Sequence, residues 1–310
     1  MSKPMSPRDV YGKVLAELGS KYEKIFVVNA DLAKATKTEE FTKKFPDRHV
    51  NVGIAEQNMV GVAAGLARTG FIPVMSSFAC FAPGRCYDQI RQSIAYSNLN
   101  VKVISTHPGL SVGMDGAIHQ SLDDIAIMKE LPGFVVLAPG DEIETRKAIE
   151  KAIQHDGPVY VRVGRKECSV VFKEEWEFEI GKGYTIVDGD DVTLIAHGAT
   201  VPVIYEGAME LKKRGINARV IDMPTIKPLD KNIIIKAAKE TKGIVVMEDH
   251  FLNGGLYSSV CEVTASEHPC KVSGIAINDT FGESGNPDDL YKKHGLTVEN
   301  LIEKVEKILK

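Results

Sequence analysis

The chain has 310 residues, enough for two domains that each bury a core of ordinary size. Its 38 Lys and Arg and 42 Asp and Glu are interspersed, and the net charge of −4 presents no surface that nucleic acid or an anionic membrane would select. The five cysteines have neither C-x-x-C nor Cys/His ligand spacing, so no zinc site or disulfide framework is indicated, and a small molecule is the ligand class to seek.

The first eight residues contain no apolar run of the kind a signal peptide needs, and no segment is long enough to span a bilayer; the cytoplasm is the expected compartment. Ser6-Pro7 supplies an N-cap and a first-position proline, and Val10, Val14, Leu15 and Leu18 follow as one helical stripe. A buried strand is predicted at 25–28, then a helix over 56–69, a strand at 72–77, a helix over 83–97 and a strand at 101–104. After a polar loop come a helix at 121–131, a strand at 134–137, a helix at 141–155 and a strand at 159–162. This alternation predicts α/β architecture, a mostly parallel sheet covered by helices, for a first domain over residues 1–166.

Residues 167–191 are charged and rich in turn formers, with Phe172-Lys-Glu-Glu-Trp-Glu-Phe-Glu followed by Gly181-Lys-Gly and Asp188-Gly-Asp-Asp, and they are expected to be a linker. A second alternating series over 192–310 predicts a smaller α/β domain, with strands near 192–196, 218–222, 243–247 and 271–277 and helices near 200–214, 229–241, 255–267 and 297–309.

Three features lie where strands of the first domain end. Ligands in open α/β sheets sit in the crevice beyond the carboxyl ends of the strands. Asn51-Val-Gly-Ile-Ala-Glu-Gln-Asn-Met runs from a short strand through a glycine turn into a helix whose first residue is Glu56; capping and the helix dipole would account for an isolated glutamate there. Phe78 and Phe81 stand three apart in Ser-Ser-Phe-Ala-Cys-Phe, a spacing that core filling alone also explains. The loop 106–120 holds His107, Asp115 and His119 among Gly109, Gly113 and Gly116, which let the backbone fold closely around a ligand.

Together these motifs resemble the pyrimidine-binding half of the transketolase family, whose enzymes use thiamine diphosphate. The resemblance implies that Glu56 hydrogen-bonds N1′ of the aminopyrimidine, which favours the imino form able to take the proton from C2 of the thiazolium. A carboxyl group that shares a proton in this way should be buried. Phe81 would stack on the pyrimidine, Phe78 would line the same pocket, and Asp31 is placed with the cofactor-binding residues. A tyrosine of the family pattern falls near Gly84, so that side of the pocket differs. His107 and His119 are implied to hydrogen-bond the donor ketose near its reacting carbon and to shuttle protons, and Asp115 to contact a substrate hydroxyl. Arg8, which lies 23 residues before Asp31, and Arg165 are implied to grip a substrate phosphate, with Arg162 as a substitute for the latter. The family's phosphate-binding serine aligns with Ala35, where Lys34 or Thr36 could compensate.

Holding the diphosphate requires Mg2+ within an oxygen shell, and the resemblance implies a Gly-Asp-Gly motif for it. That string is absent; Gly140-Asp-Glu and Gly189-Asp-Asp break it. The resemblance extends through Glu248-Asp-His-Phe-Leu-Asn-Gly-Gly-Leu and Phe281-Gly-Glu-Ser-Gly, with His197 and His250 assigned structural roles. The expected molecule is therefore the C-terminal subunit of a split transketolase. It would act on sugar phosphates with thiamine diphosphate and Mg2+, the metal ligands lying on an N-terminal subunit, in a two-plus-two assembly. The alternatives are a partner subunit of another thiamine enzyme, either 1-deoxyxylulose-5-phosphate synthase-like or the beta chain of a 2-oxo acid dehydrogenase, and a regulatory module that kept only the fold.

Overall fold

The computed structural model describes residues 5–172 and 176–310, so the chain start at 1–4 and residues 173–175 of the charged stretch lie outside the described residues. The first helix, α1 (Pro7–Lys21), begins as Ser-Pro dictates: Ser6 is extended and its Oγ accepts from the Asp9 amide at 3.4 Å. Next come β1 (Ile25–Asn29), the short helices α2 (Ala33–Thr36) and α3 (Glu39–Lys44), β2 (His49–Asn51), α4 (Glu56–Arg68) and β3 (Ile72–Phe78). The helix α5 (Ala82–Gln89) passes into a π-helical turn at Ile90–Ala95, which replaces the single helix expected over 83–97. Then follow β4 (Lys102–Thr106), 3-10 turns at Leu110–Asp115, α6 (Asp124–Lys129), β5 (Val135–Leu137), α7 (Glu142–Gln154) and β6 (Val159–Val163).

The second half comprises β7 (Tyr184–Val187), β8 (Val192–Ala196), α8 (Val201–Lys213), β9 (Ala218–Asp222), β10 (Thr225–Lys227), α9 (Lys231–Glu240) and β11 (Ile244–Phe251). It ends with α10 (Leu256–Glu267), β12 (Val272–Ile277), α11 (Pro287–Lys293) and α12 (Val298–Leu309).

Seven strands form the first sheet in the order β10-β5-β6-β4-β3-β1-β2, and five form the second in the order β12-β11-β8-β9-β7. All pairings are parallel except the two that involve β10 and β7. Every residue of β4, β6, β8 and β9 is buried, as strands covered by helices on both faces must be.

Two contacts cross between the halves at the expected linker and boundary. Within 167–191, β7 is an edge strand of the second sheet, while Phe178 is buried in the first domain's core beside Leu137 and Val161. The strand escapes sequence reading because it has only four residues, none of them fully buried, and glycines bracket it. Conversely β10, three residues from the second half, adds antiparallel to β5 of the first sheet. One apolar cluster accordingly runs through both halves, from Met59, Ile90 and Val103 to Ile226, Ile234 and Val260, and fixes how the sheets sit together.

A buried carboxyl pair lies on that seam: Glu144 of α7 and Asp222 at the end of β9. Burial pushes Asp222 up to about 7, and burial and then the nearness of Asp222 hold Glu144 well above the usual carboxylate range. Both acids bind protons more tightly folded than unfolded, so stability falls as pH rises from the unfolded carboxylate value near ~4 through the raised folded values. Urea titrations at pH 5 and pH 8 should therefore give a lower unfolding free energy at pH 8 in wild type, and Asp222→Asn should shrink that difference; an unchanged difference would refute the assignment.

Candidate active site

The carboxyl ends of β2, β1, β3, β4 and β6 line one edge of the first sheet, and the candidate residues follow them in turn. Glu56 opens α4 and is only 3% exposed, as expected, although Ala55 at the N-cap makes no side-chain cap. Its Oε1 accepts from Arg85 Nη1 at 2.7 Å. Phe78 and Phe81 form a nearly parallel pair, with centroids 5.8 Å apart and planes 11° apart. The His119 ring meets both edge-on, at 6.2 Å from Phe78 and 5.4 Å from Phe81.

His107 follows β4 in the left-handed region, at φ 60°, a strained conformation for a residue with a Cβ. Its ring packs 3.9 Å from that of Phe78. Arg8 Nη1 lies 3.1 Å from Nε2 and can only donate, so Nε2 is the acceptor and the Nδ1 proton points to Thr106 Oγ1 at 2.8 Å. Burial first, then the charges of Arg8 and Arg165, push His107 down to about 3, and the ring is neutral at physiological pH. In this structure His107 is a neutral ring oriented by hydrogen bonds on both nitrogens. The buried Nδ1 of His119, by contrast, has no protein partner.

Arg165 reaches the histidine loop through Val112 O at 2.5 Å and Asp115 Oδ2 at 3.2 Å. Arg8, His107, Arg165 and Asp115 thus stand together beyond β4 and β6. Asp31 follows β1, the strand beside β3. It is exposed, in left-handed conformation, and bonded to Asn51, whose Oδ1 accepts from the Asp31 and Gly53 amides at 3.0 Å each. Arg162 is unavailable as a substitute phosphate ligand: its Nε donates to buried Asp124 at 2.8 Å and its Nη2 to Asp249 O at 2.8 Å. Lys34 is exposed, and the Thr36 hydroxyl is spent on Leu32 O.

The second half of the chain holds the loop in shape. Asp249 accepts from Leu110 N at 2.9 Å and Tyr291 Oη at 2.8 Å. Gly109 has φ +70°, and a Cβ on it would stand 2.1 Å from Asp249 Oδ2, so only glycine fits. Gln120 Nε2 donates to Glu283 O at 2.9 Å. His250 Nε2 accepts from Ala126 N at 3.4 Å, and His197 is buried 3.5 Å from Glu248. The residues that sequence reading did not assign here are Arg85, Asp249 and Gln120; the signal for Arg85 was its place one turn after Phe81.

The family model Transketolase, pyrimidine binding domain, matches residues 3–169, and Transketolase, C-terminal domain, matches residues 181–301. The chain belongs to the transketolase family. A putative transketolase C-terminal section from Methanocaldococcus jannaschii is 47% identical over 307 residues, covering 98% of this chain and 96% of the relative. Human transketolase is 35% identical over 309 residues, and the chain spans only 49% of that longer protein. A solved structure described as a split gene transketolase, inactive beta4 tetramer, superposes with a TM-score of 0.92 at 44% identity and covers 98% of both chains. As a transketolase chain it thus corresponds to a C-terminal section, and the synthase and dehydrogenase alternatives are not favoured. Among the described residues no group of three or more His, Cys, Asp or Glu is placed to hold a metal ion.

Proposed function

We propose that this chain is the pyrimidine-side subunit of a two-chain transketolase, moving a two-carbon ketol unit from a ketose phosphate to an aldose phosphate. The reading rests on one observation above all: a buried carboxylate, Glu56, beside a parallel pair of phenyl rings at the carboxyl edge of a parallel sheet. These residues fit thiamine diphosphate at its heterocyclic end, since Phe81 offers a face for a flat ring and Glu56 an acceptor for a ring nitrogen proton. When bound, that cofactor would supply the nucleophilic carbon and the electron sink for breaking and making the carbon–carbon bond.

The chain's own contribution is orientation and proton handling. His107, neutral and held between Thr106 and Arg8, fixes the Arg8 guanidinium beside the sugar pocket, and His119 Nδ1 is free to exchange a proton with the sugar oxygen near the reacting carbon. Arg8 and Arg165 form the cationic end that a phosphate would occupy, with Asp115 directed to a hydroxyl.

The diphosphate and Mg2+ would be held by a separate N-terminal chain. Large apolar side chains support a docking face around the site: Ile54 two residues from Glu56, Met114 and Ile118 in the histidine loop, and Phe281 beside Gly282, which packs on Gln120, are all strongly exposed. Co-purification with a Gly-Asp-Gly-bearing chain, followed by assay with xylulose 5-phosphate, thiamine diphosphate and Mg2+, tests the reading. Activity is expected from the mixture and from neither chain alone, and the double variant I118D/F281D should fail to associate. A stable two-chain complex with no ketol transfer would favour the regulatory module.

A further inference from the structure

Arg85 makes, within this chain, the two contacts that the proposed function assigns to the cofactor's pyrimidine ring. Its guanidinium carbon sits 4.5 Å above the centre of the Phe81 ring, and its Nη1 donates to Glu56 Oε1 at 2.7 Å. A guanidinium is flat, stacks on aromatic faces and offers N–H groups along its edge, so it mimics an aminopyrimidine protonated at N1′ in shape and in hydrogen bonding. Both cannot lie on Phe81 and against Glu56 at once.

We infer that Arg85 is an internal occupant of the pyrimidine slot, a latch that must swing out before the cofactor's ring can enter. The local backbone suits this. Arg85 N is bonded to Phe81 O at 3.1 Å, and Arg85 O accepts from Gln57 Nε2 at 3.4 Å, so the main chain is anchored on both sides. The side chain is not: it is 47% exposed, while its partner Glu56 is 3% exposed. It follows Gly84, around which there is open space, and precedes Cys86, where α5 departs from helical geometry at φ −114°, ψ 15°. The swing therefore needs only side-chain rotation into solvent, a fast motion of low cost.

The latch has a chemical consequence beyond steric closure. Once Arg85 leaves, the Glu56 carboxylate is buried with no cation, and only a ligand that donates a hydrogen bond to it, or brings a proton, can take the vacated place. A flat apolar ring would stack on Phe81 yet fail to release Arg85. Selection for a ring with a donor edge is thus built into the resting contact, whether or not the partner chain is docked.

The inference rests on the pyrimidine-slot reading, and the test separates the two. Calorimetric titration of the full chain with thiamine, which lacks the diphosphate and does not depend on the partner's site, is compared for wild type, Arg85→Ala and Arg85→Gln, each also carrying Phe81→Ala. Removing a half-exposed ion pair and a cation–π stack should tighten thiamine binding about 10-fold in both Arg85 variants, and Phe81→Ala should abolish that gain. Glutamine keeps a neutral donor near Glu56, so it guards against a fold defect from an unpaired carboxylate. If the Arg85 variants bind thiamine no more tightly than wild type, or if the gain survives Phe81→Ala, the latch is overturned. If thiamine binding is insensitive to Phe81→Ala in the wild-type background as well, the slot itself has been misplaced and the functional reading fails with it.

Discussion

Replacing Glu56 with alanine is expected to lower the turnover of the reconstituted two-chain enzyme by about 100- to 10,000-fold, the range over which positioned acid–base groups contribute. The fold should survive. The substitution removes a buried charge, and the partner it strands, Arg85, is half exposed and rehydrates readily. Circular dichroism and the melting midpoint of the isolated chain would establish that survival, and initial rates of ketol transfer at saturating cofactor would report the loss. Normal turnover in this variant would remove Glu56 from the chemistry and leave it the helix-terminal acid that its place at the start of α4 also permits.

A second large effect is expected at Asp124, the first residue of α6 after the histidine loop. Its Oδ2 accepts from Arg162 Nε at 2.8 Å and Tyr160 Oη at 2.7 Å, and both acid and base are buried. Asp124→Ala strands the Arg162 guanidinium without its counterion, and breaking a buried pair from one side typically costs about 3–5 kcal/mol. Urea unfolding should register that loss at neutral pH. Because Arg162 also donates to the carbonyl of Asp249, whose carboxylate holds Leu110, KM for the sugar should rise as well. A loss below about 1 kcal/mol, the range of an exposed pair, would contradict the assignment.

The strands and helices of the first sheet were legible because burial on both faces leaves long runs of valine and isoleucine, as in Val159-Tyr-Val-Arg-Val. Several of the short or edge elements were not. β10 has three residues, β7 sits at an edge, and α2, α3 and α11 are at most seven residues long, so none displays enough periods to register. The site was legible where a residue type is tied to a glycine turn, as for Glu56 after Gly53 and His107 before Gly109. Long-range contacts were not. That Arg162 is buried against Asp124, that Asp249 reaches Leu110 across 139 positions, and that Arg85 bends back onto Phe81 depend on tertiary packing that no local spacing encodes. The neutrality of His107 belongs with these, because it follows from burial and two arginines distant in sequence.

The grip of Asp249 and of the Gly282–Glu283 loop segment on the histidine loop carries a lesson about where such a polypeptide can be divided. A cut placed after the first sheet would leave the ring-binding edge standing and let the sugar-facing loop go slack, since the anchors would sit on another molecule. Division between the two halves would therefore sever a place where a glycine backbone and a carboxylate interlock.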